Sequence, residues 1–349
     1  MRTTESGPTA PDQGPAAPPT AIATPTRRET AIRLMGRYGT PGVALVLIAI
    51  FTVLDGQQFF STSNLNTILV QATIGAVIAL GLTWVLIVGE FDLSIGYTAS
   101  LAGILVAMEY DGSPVRKAVV IVGVLAVGAL IGIANGLVVT KLGVNALVGT
   151  LGVGSLAIGV NYLLTAGVPL VLPEGGQDLG DLYTGGIGEI QWPVFLLAAI
   201  IVLMLLLQNR TTLGLEFRAV GANRVAATLS GVRVDRVVIT SFVLSGTLAA
   251  AGGILITSNV SSGQVTGGDA YLLPSFAACF LGAAALREAE FHVLGTVIGV
   301  LTLLIGTNGM AIAGVNTSFQ FIFQGLLLIA AVGMSTAARR VAAGRRVGT

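Results

Sequence analysis

Long apolar stretches, divided by a few polar or glycine-rich positions, run through this chain from about residue 41 to residue 334. Ten segments stand out, at about 41–55, 65–88, 93–109, 118–139, 142–164, 192–207, 237–257, 271–285, 294–313 and 318–334. A membrane-spanning helix needs about 20 such residues. The first, sixth and eighth segments fall short, so they must borrow flanking residues or enter the membrane only partly. The pattern predicts an all-α, polytopic integral membrane protein with about ten transmembrane helices embedded in a lipid bilayer.

Composition agrees with that reading. Hydrophobic residues make up 54% of the 349, charged residues 10%, and the mean hydropathy is +0.87. Soluble domains carry about 25% charged residues. The single cysteine, Cys279, leaves no disulfide to form, and the single histidine, His292, excludes a HExxH metal site. Residues 1–26 are rich in Pro, Thr, Ala and Gly and read as disordered. No apolar run follows directly on a basic start, so the segment near Pro41 reads as a retained anchor rather than a cleaved signal. The expected organisation is a disordered tail over 1–30, a transmembrane domain over 31–335 and a basic tail over 336–349.

Charge orients the chain. With the N-terminus inside, inner segments hold sixteen lysines and arginines and outer segments only Arg116 and Lys117. Basic residues favour the cytoplasmic side, so both termini and the loop 208–236 are expected there. That loop carries Arg210, Arg218, Arg224, Arg233 and Arg236. Within it, residues 223–231 read as a two-turn helix, with Asn223 as its N-cap and Gly231 as its left-handed stop. A short capped helix on a basic loop is a surface that another protein can grip. The outer segment 165–191 is its acidic counterpart, with Glu174, Asp178, Asp181 and Glu189. Its glycines and prolines read as loop or short helix.

Two absences narrow the chemistry. Neither lysine, Lys117 or Lys141, is followed by Ser or Thr, so the chain has no phosphate-cradling loop of its own. No ionisable residue lies well inside any predicted span, whereas proton relays need such groups at membrane depth. Uncharged polar groups are present there: Gln71, Thr73, Thr83, Asn135, Asn161, Asn308 and Gln324. They suit a neutral polyhydroxylated solute, and Asn135, Asn161, Asn308 and Gln324 are the candidate pathway residues. Their bland reading is interhelical hydrogen bonding, worth about 0.6 kcal/mol each.

Small residues mark close helix crossings at Gly128-x3-Gly132-x3-Gly136 and Gly295-x3-Gly299. A faint echo links Ile158-Gly159, Asn161 and Ala166-Gly167-Val168 with Ile305-Gly306, Asn308 and Ala313-Gly314-Val315, which a parallel repeat would produce. Between the second and third segments, Gly89-Glu-Phe-Asp-Leu-Ser-Ile-Gly96 leaves almost no room for a loop. Asp92 can cap the third helix there by accepting from an N–H two or three residues on. The alternative is a broken element beside a cavity, the one setting in which non-helical backbone is tolerated at membrane depth.

At these residues the chain resembles a family. The Gly89–Gly96 junction, with Asp92, Leu93, Ser94 and Gly96, is similar to the G-G-I-D-L-S-V-G signature of permease subunits of ribose, xylose and galactose type ABC importers. Val220–Val232, with Gly221, Asn223, Ala226, Ala227, Ser230 and Gly231, resembles that family's cytoplasmic G-x-N-x-x-A-A-x-x-S-G-I segment. Ser245-Gly246, Ala251-Gly252-Gly253, Ser261-Ser-Gly263 and Leu294–Gly299 follow in the family's order. The resemblance implies a cytoplasmic ABC ATPase docked on Gly221–Gly231, an extracytoplasmic sugar-binding protein and a second permease copy forming a homodimer. It implies no cofactor in this chain, since the ATPase binds the ATP, and no nucleic-acid partner. The chain departs from the pattern at Glu90, where the family usually has Gly, and at 282–292, where a glycine-rich loop is replaced. A stand-alone secondary carrier for a small neutral solute is the alternative.

Overall fold

The computed structural model describes residues 27–110, 113–285 and 290–346. The first five helices are α1 (Arg27–Phe59), α2 (Thr62–Ile87), α3 (Ile95–Glu109), α4 (Pro114–Thr140) and α5 (Ala146–Thr165). A surface stretch follows, holding β1 (Leu170–Val171), α6 (Asp178–Thr184), β2 (Gly186–Ile187) and β3 (Ile190–Gln191). Then come α7 (Trp192–Arg210), α8 (Thr212–Ala222), α9 (Arg224–Leu229), α10 (Val234–Val260) and β4 (Ser262–Gly263). The chain closes with α11 (Asp269–Ala283), α12 (Val293–Ile312) and α13 (Thr317–Arg346). Among the described residues, eight helices are long and apolar enough to cross a membrane.

The all-α reading holds, with adjustments of length. The first segment is not short: α1 runs 33 residues, with non-helical backbone at Asp55. The sixth gains its flanks to become the 19-residue α7. The eighth stays short, and the third joins it: α3 and α11 are each 15 residues. Helix α1 begins at Arg27, inside the span assigned to the tail, while residues 1–26 lie outside the described ones. The acidic stretch holds two small ribbons that the sequence did not announce, β1 paired with β4 and β2 with β3.

The bundle is organised around α2 and α10. Val77, Ile78, Ala79 and Leu80 of α2 and Phe242, Ala249 and Ala250 of α10 are fully buried. Helix α10 packs against α2, α3 and α4, and α2 packs against α10, α11 and α12. Each hub helix is followed by a non-helical segment, 88–94 or 261–268, and then by a 15-residue helix. Outside these, α5 leans on α3 and α13 on α11. Lys141, just after α4, pairs at 2.6 Å with Asp235 at the start of α10, and the segment leaving α2 touches Arg224. So α2 ends where α10 begins, and the two units run in opposite directions, an inverted-topology repeat. The echo expected from a parallel repeat has another origin. Gly167 and Gly314 both end their helices with positive φ, but the packing makes α13, not α12, the counterpart of α5.

Peripheral helices leave large apolar side chains bare, such as Val53 of α1 and Leu163 of α5. In a soluble protein so much exposed hydrocarbon would be an aggregation surface; in lipid it is the solvated face.

The predicted glycine stripe seats α10 on α4. A Cβ at Gly132 would fall on the carbonyl of Phe242, and one at Gly246 on the carbonyl of Gly128. Without a hydrophobic drive between helices in lipid, this close approach is the main source of association. Gly132→Val should therefore cost about 1–3 kcal/mol by overpacking, whereas Gly123→Val in the same helix meets nothing within 4 Å. Thermal midpoints of the purified variants in detergent check this; equal stability of the two would contradict the crossing.

Candidate functional site

The loop 208–236 is nearly all helix. Thr211 caps α8, its hydroxyl accepting from the Gly214 N–H at 3.2 Å. Arg218 donates to the carbonyls of Gly214 (3.2 Å) and Gln208 (3.1 Å), closing the corner with α7. Phe217 is fully buried against Trp84 of α2, with ring centroids 5.0 Å apart. Gly221 lies so close to the Ile87 carbonyl that a side chain there would displace the end of α2. Helix α8 is thus fastened to the hub.

Helix α9 forms as the sequence predicts. Asn223 accepts from the Ala226 N–H at 3.0 Å, relieving one unpaired donor of the first turn. At the other end Gly231 takes φ +85°. The Val232 N–H reaches the Ala227 carbonyl and the Gly231 N–H the Thr228 carbonyl, both at 3.0 Å, which is a complete Schellman stop. Of the predicted contact residues, Ala226 and Ser230 are exposed, but Ala227 is buried against the protein itself and is not free for a partner. The hydroxyls of Thr228 and Ser230 turn back to helix carbonyls. What α9 holds outward is apolar: Val225 is 70% exposed and Leu229 85%. The sequence reading missed this pair, although two large apolar residues at i and i+4 in an arginine-rich loop were the available signal.

The junction after α2 is a break at membrane depth. Gly89 turns the chain with φ +81°. Glu90, where the family usually has Gly, pairs with Arg224 of α9 at 2.5 Å, and Arg224 also donates to the Val88 carbonyl at 3.1 Å. Phe91 stacks on Phe276 of α11 at 6.2 Å. Asp92 is fully buried and accepts three hydrogen bonds, from Ser94 N–H (2.9 Å), Ser94 Oγ (2.6 Å) and Ser245 Oγ (2.7 Å). Asn135 Nδ2 donates to Ser94 Oγ at 2.7 Å, and the Leu93 N–H donates to Thr150 at 3.0 Å. Asp92 does accept from the N–H two residues on, but the cap position of α3 falls at Ser94. Ser245 is eleven residues into α10, about 16 Å along it at roughly 1.5 Å per residue. Asp92 lies between the second and third spans, as the sequence places it, yet the break carries it deep into the bundle, where it is tied to hydroxyls.

The second break mirrors the first. Asp269, itself exposed, opens α11, and the buried Gly268 N–H donates to Ser100 of α3 at 2.9 Å. A Cβ at Gly268 would strike the Gly96 carbonyl, so the two short helices start in backbone contact.

The four candidate pathway residues do not gather. Asn135 braces the first break. Asn161 donates to the Val265 carbonyl in the second at 3.1 Å, and Asn308 to Asn64 at 2.9 Å. Gln324 alone lines a cavity, shared with Gln71. The replaced loop 282–292 falls partly outside the described residues; Phe291 packs edge-on against Phe280.

Apolar helices around two broken elements, with one tied carboxylate and otherwise neutral polar groups at depth, define a multi-pass membrane protein of the permease kind. The chain belongs to the family described as branched-chain amino acid transport system / permease component, whose model matches residues 64–332. It is 35% identical over 292 residues to the ribose import permease protein of Escherichia coli strain K12, covering 82% of this chain and 90% of the relative. The galactose/methyl galactoside import permease protein of the same strain is 31% identical over 313 residues, covering 84% and 92%. The L-arabinose ABC transporter permease protein of Azospirillum brasilense is 29% identical over 315 residues, covering 90% and 92%. No solved structure matches. The sugar-permease resemblance is borne out by these relatives, and the chain is a multi-pass protein of the inner membrane.

Removing one donor from a buried charge leaves the full desolvation cost behind. Ser245→Ala should lower stability by about 1.5–3 kcal/mol, the range for hydrogen bonds to charged groups. Thr247→Ala, whose hydroxyl only bonds back to the Val243 carbonyl, is the control. A thermal midpoint for Ser245→Ala no lower than the control's would contradict this role.

Proposed function

We propose that this chain is the membrane-spanning subunit of an ATP-driven importer that carries a monosaccharide across the inner membrane. The observation that carries the reading is α9, a helix closed at both ends that holds Val225 and Leu229 into solvent. An apolar pair on an otherwise arginine-rich end calls for a protein cover, and the basic bias turns that end to the cytoplasm. The cover is an ABC ATPase. This chain has no phosphate loop of its own, so the ATPase holds the ATP and the permease needs no cofactor. Both termini lie inside, and ten helices cross, α3 and α11 completing their crossings through 88–94 and 261–268.

The solute class follows from the relatives' names and from charge. The family description mentions amino acids, but a zwitterion buried without charged partners is strongly disfavoured. The deep polar groups here are amides and hydroxyls, apart from an Asp92 already tied. A neutral ribose, galactose or arabinose suits them. An extracytoplasmic sugar-binding protein delivers it to the acidic end, and a second copy of the permease completes the membrane part. Closure of the ATPase dimer moves α9, and through the packing of α8 on α2 the 88–94 break, switching access from outside to inside.

The test is co-purification and transport. Burying a Val or Leu contributes about 1.5–3 kcal/mol, and each 1.4 kcal/mol is about tenfold in affinity. The Val225→Asp, Leu229→Asp double variant should insert normally, lose the ATPase on purification and take up ribose, galactose or arabinose at least tenfold more slowly. Ala226→Arg should act in the same direction. A double variant that keeps its ATPase and transports at the wild-type rate would sink the coupling assignment.

A further inference from the structure

Helix packing leaves a partly open space where uncharged polar side chains converge. A cavity of 190 Å³ lies between α2, α11, α12 and α13. Gln71, Tyr271, Ser275 and Gln324 bring amide, phenol and hydroxyl groups to its wall, and Val300 and Leu304 supply part of the apolar remainder.

Ser275 is the telling member. It is 2% exposed, and its hydroxyl has no hydrogen-bond partner among the described residues. Most buried hydroxyls of the bundle find a partner, as Thr83 does at the Ala79 carbonyl and Thr302 at the Ile298 carbonyl; Thr98 of α3, away from this cavity, is another exception. An unmade bond of this kind is unfavourable, so the position is suited to a hydroxyl supplied from outside the protein.

Size, depth and charge restrict what enters. The volume equals about six waters at about 30 Å³ each, and it falls below the roughly 300–1,000 Å³ of sites for drug-sized ligands. Gln71 is nine residues into α2, about 13 Å along it at roughly 1.5 Å per residue, which places the cavity in the middle of the bundle. No charged side chain lines it, so an ion would sit there unpaired. Amides and hydroxyls both donate and accept, as sugar hydroxyls require, and the Tyr271 ring offers a flat apolar face.

We propose that this cavity is a seat for the transported solute, a neutral polyhydroxylated molecule of monosaccharide size held within a single permease chain. The inference rests on the sugar-importer reading above. It adds that Gln71, Tyr271, Ser275 and Gln324 contact the solute during passage.

Gly75 gives a means of blocking the seat. A Cβ there would lie 4.0 Å from Val300 Cγ1, so alanine fits, and a leucine would project into the cavity. The permease, its ATPase and its binding protein are reconstituted in proteoliposomes and offered D-ribose, D-galactose and L-arabinose. Wild type should carry at least one of them. Gly123→Leu in α4, whose side chain meets nothing within 4 Å, should stay within twofold, and Gly75→Leu should fall at least tenfold while the ATPase still co-purifies. In a second arm, Ser275→Cys is labelled with a small methanethiosulfonate reagent, with wild-type Cys279 as background. The transported sugar should slow labelling at least fivefold, and leucine at the same concentration should not.

Wild-type uptake by Gly75→Leu overturns the cavity assignment, as does a labelling rate that no transported sugar changes. Either result leaves the importer reading standing, because the wild-type complex still transports. A wild-type complex that carries none of the three sugars overturns the importer reading, and the seat with it. Where Gly75→Leu does not fold, the labelling arm decides.

Discussion

Lipid offers no hydrogen bonds, and that one fact dictates how this bundle can be interrupted. An unpaired N–H or C=O in the hydrocarbon core costs several kcal/mol, so a broken helix must be enclosed and satisfied by its neighbours. Both breaks meet the requirement. In the first, the Leu93 N–H is met by Thr150, the Ser94 N–H by Asp92 and the Val88 carbonyl by Arg224. In the second, the Val265 carbonyl is met by Asn161 and the Gly268 N–H by Ser100. Asn161, Thr150 and Ser100 are thus spent on backbone that the breaks have freed.

Asp92 is the costliest of these devices and the most informative. A buried carboxylate is strongly disfavoured unless its lone pairs are occupied. Three donors from Ser94 and Ser245 occupy them, and its charge sits beside the first turn of α3, where the helix dipole favours an anion. A proton relay needs a carboxylate free to exchange with water. This one is sealed by α4 and α10, with Asn135 closing the far side of Ser94. Its place is architectural.

Much of this was legible in the sequence because long apolar runs, capping residues and basic loops each have a single strong physical cause. Asn223 and Gly231 framed α9 correctly, since cap chemistry is local. The Gly128–Gly136 stripe marked a helix crossing, since only small residues permit it. The shortness of α3 was nearly legible: the predicted 93–109 exceeds it only by Leu93 and Ser94, which belong to the break. The depth of Asp92 was hidden, because it depends on where α10 passes. Asn135, Asn161 and Asn308 looked alike on paper and were divided by tertiary placement among separate braces. The orientation of α9 was equally nonlocal: burial of Ala227 and exposure of Leu229 follow from how α8 is pinned to Trp84 and Ile87.

That pinning bears on how force on α9 is shared. The Arg224–Glu90 pair has a 45% exposed arginine, and partly exposed pairs are worth only about 0–1 kcal/mol. By itself it is too weak a link to drag a buried break. The backbone contact of Gly221 with Ile87 and the burial of Phe217 against Trp84 are stiffer, because packed atoms resist compression while a solvated ion pair yields. A push on Val225 and Leu229 therefore reaches α2 mainly through α8. The ion pair then acts as a guide that keeps Glu90, two residues before Asp92, moving with the rest. On the inner side of the same segment, Phe91 stacks on Phe276, the neighbour of Ser275. Displacing the end of α2 thus loads the Asp92 cluster and the α11 wall of the cavity together, through contacts too close-packed to move separately.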